Sequence, residues 1–146
     1  MAMNYVGIST NLTVLAFMKD GTPAPNARNA DQLIVNWNIL NMTSGPLKLT
    51  FPDDALFRLT LSKGNGTVVW QQPEPKSAKT LGVTIPPGDR YTLPPKNPPP
   101  GQDGLVDLAA ILAALDPPIA AEEELELLFQ PQAAELRSMT GLGLWR

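Results

Sequence analysis

Through most of the chain, apolar and polar residues alternate with a period of two, the pattern of strands that bury one face and wet the other. In a first candidate, Val6, Ile8, Leu12 and Val14 share a face opposite Ser9, Asn11 and Thr13. "LIVNWNIL" sets Leu33, Val35, Trp37 and Ile39 against Asn36 and Asn38. Leu47, Leu49 and Phe51 alternate with Lys48 and Thr50, and Phe57, Leu59 and Leu61 with Arg58, Thr60 and Ser62. Shorter runs follow at 68–70, at Leu81, Val83 and Ile85, and at Tyr91 and Leu93. Late in the chain "EEELELLF" opposes Glu122, Glu124 and Glu126 to Leu125, Leu127 and Phe129, which predicts a strand with an acidic outer face.

Between these runs lie residues that turn a chain. Ser44-Gly45-Pro46 breaks the second run from the third, and "KGNGT", residues 63–67, supplies the Asn-Gly that a tight hairpin requires. "PPGD", residues 86–89, presets φ with proline. "PPKNPPPGQDG", residues 94–104, holds five prolines in eleven residues and cannot donate the ladder bonds of a central strand. It reads as a stiff, partly polyproline-like loop. Strands at short spacing with proline and glycine turns predict an antiparallel sandwich over 1–130. Residues 131–146 fall outside the pattern and are expected as a C-terminal tail, a partner-binding arm. One stretch resists the period: in "LVDLAAILAALD", Leu108, Ile111, Leu112 and Leu115 have helical spacing and alanine favours helix.

Composition narrows the chemistry. A chain of 146 residues suits one hydrophobic core. It has no cysteine and no histidine, which removes thiolate nucleophiles, imidazole bases, disulfides and the usual zinc sites. The net charge is −3 with basic residues scattered singly, so nucleic acid is not an expected partner. The first residues lack the basic and apolar regions of a secretory signal, and no apolar run reaches membrane-span length. The expectation is a soluble protein of the cytoplasm, or of a particle assembled there, without membrane insertion and without a cofactor.

Candidate reactive groups are few. Asp53-Asp54 is an adjacent acidic pair entering a strand, where neighbours point to opposite faces; a turn role is expected rather than paired acid–base work. "KGNG" is too short for a phosphate-cradling loop. Trp37, and more weakly Trp70, are expected in the core, whereas Trp145 beside the carboxyl terminus suggests an intermolecular anchor. No catalytic, cofactor-binding or metal-binding residue is assigned.

A strand ending in Asn41, a Ser-Gly-Pro turn, "LKLTF", then "GNGTVVW" and "PPGDRYTL" together resemble the intracellular proteinase inhibitor (BsuPI) family. The positions that carry the resemblance are Asn41, Pro46, Leu49, Phe51, Gly66, Val68, Trp70 and Gly88, within residues 33–93. The chain departs from the pattern at Phe57-Arg58 and at Gln71-Gln72-Pro73. The resemblance implies an all-β, immunoglobulin-like antiparallel β-sandwich of about seven to eight strands with N- and C-terminal extensions. It also implies that residues 105–115 form a strand, against the local helical spacing. Asn41, Pro46, Phe51, Trp70 and Gly88 are then structural.

Two function classes follow. The first is a non-catalytic protein–protein interaction module, with protease inhibition through a rigid loop as its sharpest version. The second is a structural or accessory subunit of a larger assembly, a phage-type decoration or tail protein or a filament or scaffold component, held by its terminal arms. The expected partner is a protease, an assembly subunit or another copy of this chain. Candidate contacts are Pro98, Pro99 and Pro100 in the proline loop and Leu142, Leu144 and Trp145 in the tail.

Overall fold

The computed structural model describes residues 7–26, 29–115, 118, 119 and 123–136, with the backbone of 141–145. Strands β1 (Ile8–Phe17) and β2 (Gln32–Asn41) pair antiparallel along their whole length. The other edge of β2 is covered by two short strands in succession, β7 (Arg90–Leu93) and β8 (Leu105–Val106). A second sheet runs in the order β10 (Gly141–Trp145), β9 (Leu125–Pro131), β4 (Phe57–Lys63), β5 (Val68–Gln71). Strands β3 (Leu47–Pro52) and β6 (Thr80–Ile85) pair with each other. β1-β2-β7 and β5-β4-β9-β10 are the A-B-E and C′-C-F-G orders of immunoglobulin-type sandwiches, so the expected all-β fold is the observed one.

The alternation decides which faces meet. Leu33, Val35, Trp37 and Ile39 of β2 are buried, as are Phe57, Leu59 and Leu61 of β4 and Leu125, Leu127 and Phe129 of β9. At the centre Phe129 stacks on Trp37 at 5.5 Å and on Phe57 at 5.1 Å between ring centroids. Such ring pairs add about 0.5–1.5 kcal/mol each beyond the area they bury.

A corner is built where β2 passes into β3 and, opposite it, β6 passes into β7. Leu40 faces Arg90 on one side of it and Leu47 faces Ile85 on the other. Both chains of one long ribbon therefore bend at the same place. The fully buried Asn41 fills the bend: its Nδ2 donates to the carbonyls of Gly45 (3.0 Å) and Ile85 (2.8 Å). Its Oδ1 accepts from the backbone N–H (3.0 Å) and hydroxyl (2.6 Å) of Thr43. Its backbone closes the opposite turn, accepting from Gly88 N–H, where φ is +81°, and donating to Asp89.

The segment 105–115 departs from the strand that the family resemblance implies. Only Leu105 and Val106 pair; Asp107 then caps helix α1 (Leu108–Ala113) by accepting from Ala110 N–H at 3.2 Å. The local spacing prevails because only Leu108 is buried, and the exposed Ala109 and Ala110 offer a sheet face nothing to bury.

Residues expected in a tail contribute to the sandwich. Ala133 and Leu136 are in the core, and Glu135, on a 3₁₀ turn at Ala134–Leu136, accepts the Thr50 backbone N–H at 2.8 Å and its hydroxyl at 3.2 Å. The N–H bond above all holds the Glu135 carboxyl below the usual glutamate range. β10 then pairs with β9 from Gly141 opposite Phe129 to Trp145 opposite Leu125.

Candidate functional site

The proline loop interrupts a single edge strand. Leu93 faces Trp37 and Leu105 faces Ile34, so residues 94–104 span what Val35 and Asn36 span on β2. The loop returns at Gly104, whose carbonyl accepts from Val35 N–H at 2.9 Å. At that point φ is +76°, and a Cβ would stand 2.5 Å from the Val35 carbonyl oxygen, so only glycine fits.

Two buried amides fasten the loop to the sandwich. Gln102 is 5% exposed, and its Oε1 accepts from the backbone N–H of Leu56 (2.8 Å) and Phe57 (3.0 Å), capping the start of β4. Gln72 accepts from Leu59 N–H (2.9 Å) and donates to the Gly101 carbonyl (3.1 Å). A glutamine buried with its amide bonded holds a backbone better than an exposed one, since releasing it would orphan the groups it serves.

Between the fastened loop and the segment leaving β5 lies a cleft of about 530 Å³. It is lined by Trp70, Gln71, Gln72 and Pro73 from the segment leaving β5, by Pro100, Gly101 and Asp103 from the loop, and by Leu105 and Asp54. Trp70 is half-buried and Leu105 is 47% exposed, so apolar surface faces the opening. Asp54 sits in the turn expected of it: its Oδ2 accepts from the backbone N–H of Lys76 (2.9 Å) and Ser77 (3.1 Å). Among the described residues no three acidic side chains converge as a metal site would need. No described helix is long and apolar enough to cross a membrane.

The expected contact residues separate. Pro98 and Pro99 are half-buried within the loop and Pro100 is exposed on the cleft that Trp70 also lines. Leu142, Leu144 and Trp145 lie on β10, at the sheet edge opposite β5. Of the family-motif positions, Asn41 and Phe51 are buried, Gly88 and Pro46 are at the corner turns, and Trp70 alone reaches the cleft. Gln102, Asp103 and Leu105 were not singled out by the sequence, where each reads as an ordinary loop or strand-end residue, and Gln72 was noted only as a departure from the family pattern. No protein-family model matches the chain, and no match is found among curated proteins.

Proposed function

We propose that this protein is a non-catalytic protein–protein interaction module that holds its partner in the cleft beneath the proline loop. The observation that carries this reading is the combination of exposed apolar surface at Trp70, Pro100 and Leu105 with walls fixed by the buried amides of Gln72 and Gln102. A pre-ordered cleft loses little freedom on binding, and an aromatic side chain in a concave site is the usual anchor of an interface. Protease inhibition is the sharpest version, supported by the resemblance to the intracellular proteinase inhibitors and by the stiffness of residues 94–104.

The test is comparative capture from a cell extract, using the immobilised protein, its Leu105→Ser variant and a control substituted at Lys48, away from the cleft. Partners captured by the protein and the control should be lost, by about tenfold or more, with Leu105→Ser while its melting temperature is retained. Capture indifferent to Leu105→Ser would exclude the cleft. Adding the protein to a panel of serine proteases tests the inhibitor version, which unslowed hydrolysis removes.

The alternative, an assembly subunit held by its terminal arms, draws support from β10, a strand at a sheet edge, where a strand of a neighbouring subunit can pair. Removing 131–146 is a poor test because it also takes Ala133 and Leu136 from the core, at about 2–5 kcal/mol for the leucine. A chain ending at Leu136 keeps Ala133 and Leu136. Under the module reading it should sediment like the full chain at equal concentration; dissociation of a larger species on truncation would favour the assembly.

A further inference from the structure

The cleft has a charge as well as a shape. Three carboxylates, Asp54, Glu74 and Asp103, line it together with one ammonium group, that of Lys76. Glu74 is shared with Arg58, whose Nη1 lies 3.5 Å from its Oε1. Asp103 is exposed and spends one oxygen on the Leu105 N–H at 3.0 Å. Asp54 differs: its Oδ2 is bonded, but its Oδ1 is shut off from the surface without a hydrogen-bond partner. That oxygen is closed to a ligand, so Asp54 acts on the cleft through its negative charge rather than through a direct bond.

A volume near 530 Å³ suits a few residues of extended chain. The apolar part of the lining, Trp70 with Pro73 and Pro100, suits a flat ring laid against an indole, and a proline-bearing segment arrives already extended. The protein's net charge of −3 favours the approach of a cation.

Resting on the binding-module reading, we propose that the cleft takes an extended segment of a partner protein in which an arginine or lysine stands next to proline. The proline ring packs at Trp70 and Pro100, and the cation pairs with the exposed carboxylate of Asp103, with Asp54 adding its negative charge to the cleft.

Fluorescence anisotropy of a labelled Pro-Pro-Arg-Pro-Pro peptide, and of the same peptide with glutamate for arginine, tests this on the full-length protein. The arginine peptide should bind about tenfold or more tightly than its counterpart, the worth of one charge-assisted hydrogen bond. Asp54→Asn combined with Asp103→Asn keeps an acceptor for each backbone N–H now bound, so the fold should survive. This double variant should remove the preference for arginine, whereas Leu105→Ser should weaken both peptides alike. Equal binding of the two peptides, or no binding of either at millimolar concentration, overturns the proposal. If capture of partners remains sensitive to Leu105→Ser in that event, the binding-module reading stands without it; peptide binding indifferent to Leu105→Ser and to the double variant would remove the cleft as the site.

Discussion

Asn41→Ala should lower the melting temperature by about 6–12 °C, equivalent to roughly 3 kcal/mol in a domain of this size. The side chain makes bonds to the carbonyls of Gly45 and Ile85 and to the N–H and hydroxyl of Thr43. Two of these partners have a substitute, because the Thr43 hydroxyl lies 2.8 Å from the Gly45 carbonyl and can turn its single proton to it once Asn41 is gone. The Ile85 carbonyl and the Thr43 N–H lose the partner this side chain supplies at a buried corner, and each such loss costs about 1–3 kcal/mol. Urea unfolding should show the lower midpoint with an unchanged slope, since the surface exposed on unfolding is the same. Asn41→Asp is the sharper variant. It keeps the acceptor for Thr43 but turns both donors into an anion facing two carbonyl oxygens, so at neutral pH it should be less stable than Asn41→Ala. Burial raises the folded-state pKa of that carboxyl, so its deficit should shrink as the pH falls through that value. A deficit independent of pH would mean that the corner opens to water.

Gly104→Ala should destabilise the protein by about 3 kcal/mol or more and loosen the proline loop with it. Two costs combine. The backbone at φ +76° costs an L-residue about 1–2 kcal/mol. The added methyl would also meet the Val35 carbonyl oxygen at 2.5 Å and the Pro94 ring at 3.3 Å, forcing β2 and the returning loop apart. Gly101→Ala provides the comparison. Its φ is +77° but nothing stands within 4 Å of its Cβ, so only the first cost, about 1–2 kcal/mol, applies. The gap between the two melting temperatures therefore measures the close approach. Limited proteolysis within residues 94–104 should accelerate in Gly104→Ala far more than in Gly101→Ala, because only the former disturbs the Val35–Gly104 bond. Equal rates would show that the buried amide of Gln102 holds the loop unaided.

The cleft was far less legible in the sequence than the sandwich. Its aromatic anchor, Trp70, and one wall, Pro100, were each noticed, but for separate reasons and with no sign that they meet. Gln72 stood out only as a departure from a family pattern and Gln102 not at all. A glutamine among prolines and glycines looks solvated, and nothing local says that its amide will be carried under a neighbouring strand. Asp54 was rightly placed in a turn, yet its second oxygen acquires significance only from what the fold closes over it.

By itself the sequence determined the strands, because a period of two repeated in β2, β4 and β9 can bury its apolar half only as a sheet face. It determined the turns at 63–67 and 86–89 through residues whose backbone preferences are local. The short helix at Leu108–Ala113 belongs with these, since its cap and its spacing lie within a few residues of one another. Tertiary structure alone decided that Ala133 and Leu136 belong to the core, that one edge strand is split by the proline loop, and that the loop brings Pro100 and Asp103 into one cleft with Trp70. Those outcomes, including the meeting of Pro100, Asp103 and Trp70 in one cleft, depend on contacts between residues far apart in the chain. Such contacts are fixed by which faces and edges remain to be covered once the strands have formed, and that is a property of the assembled sheets rather than of any single segment.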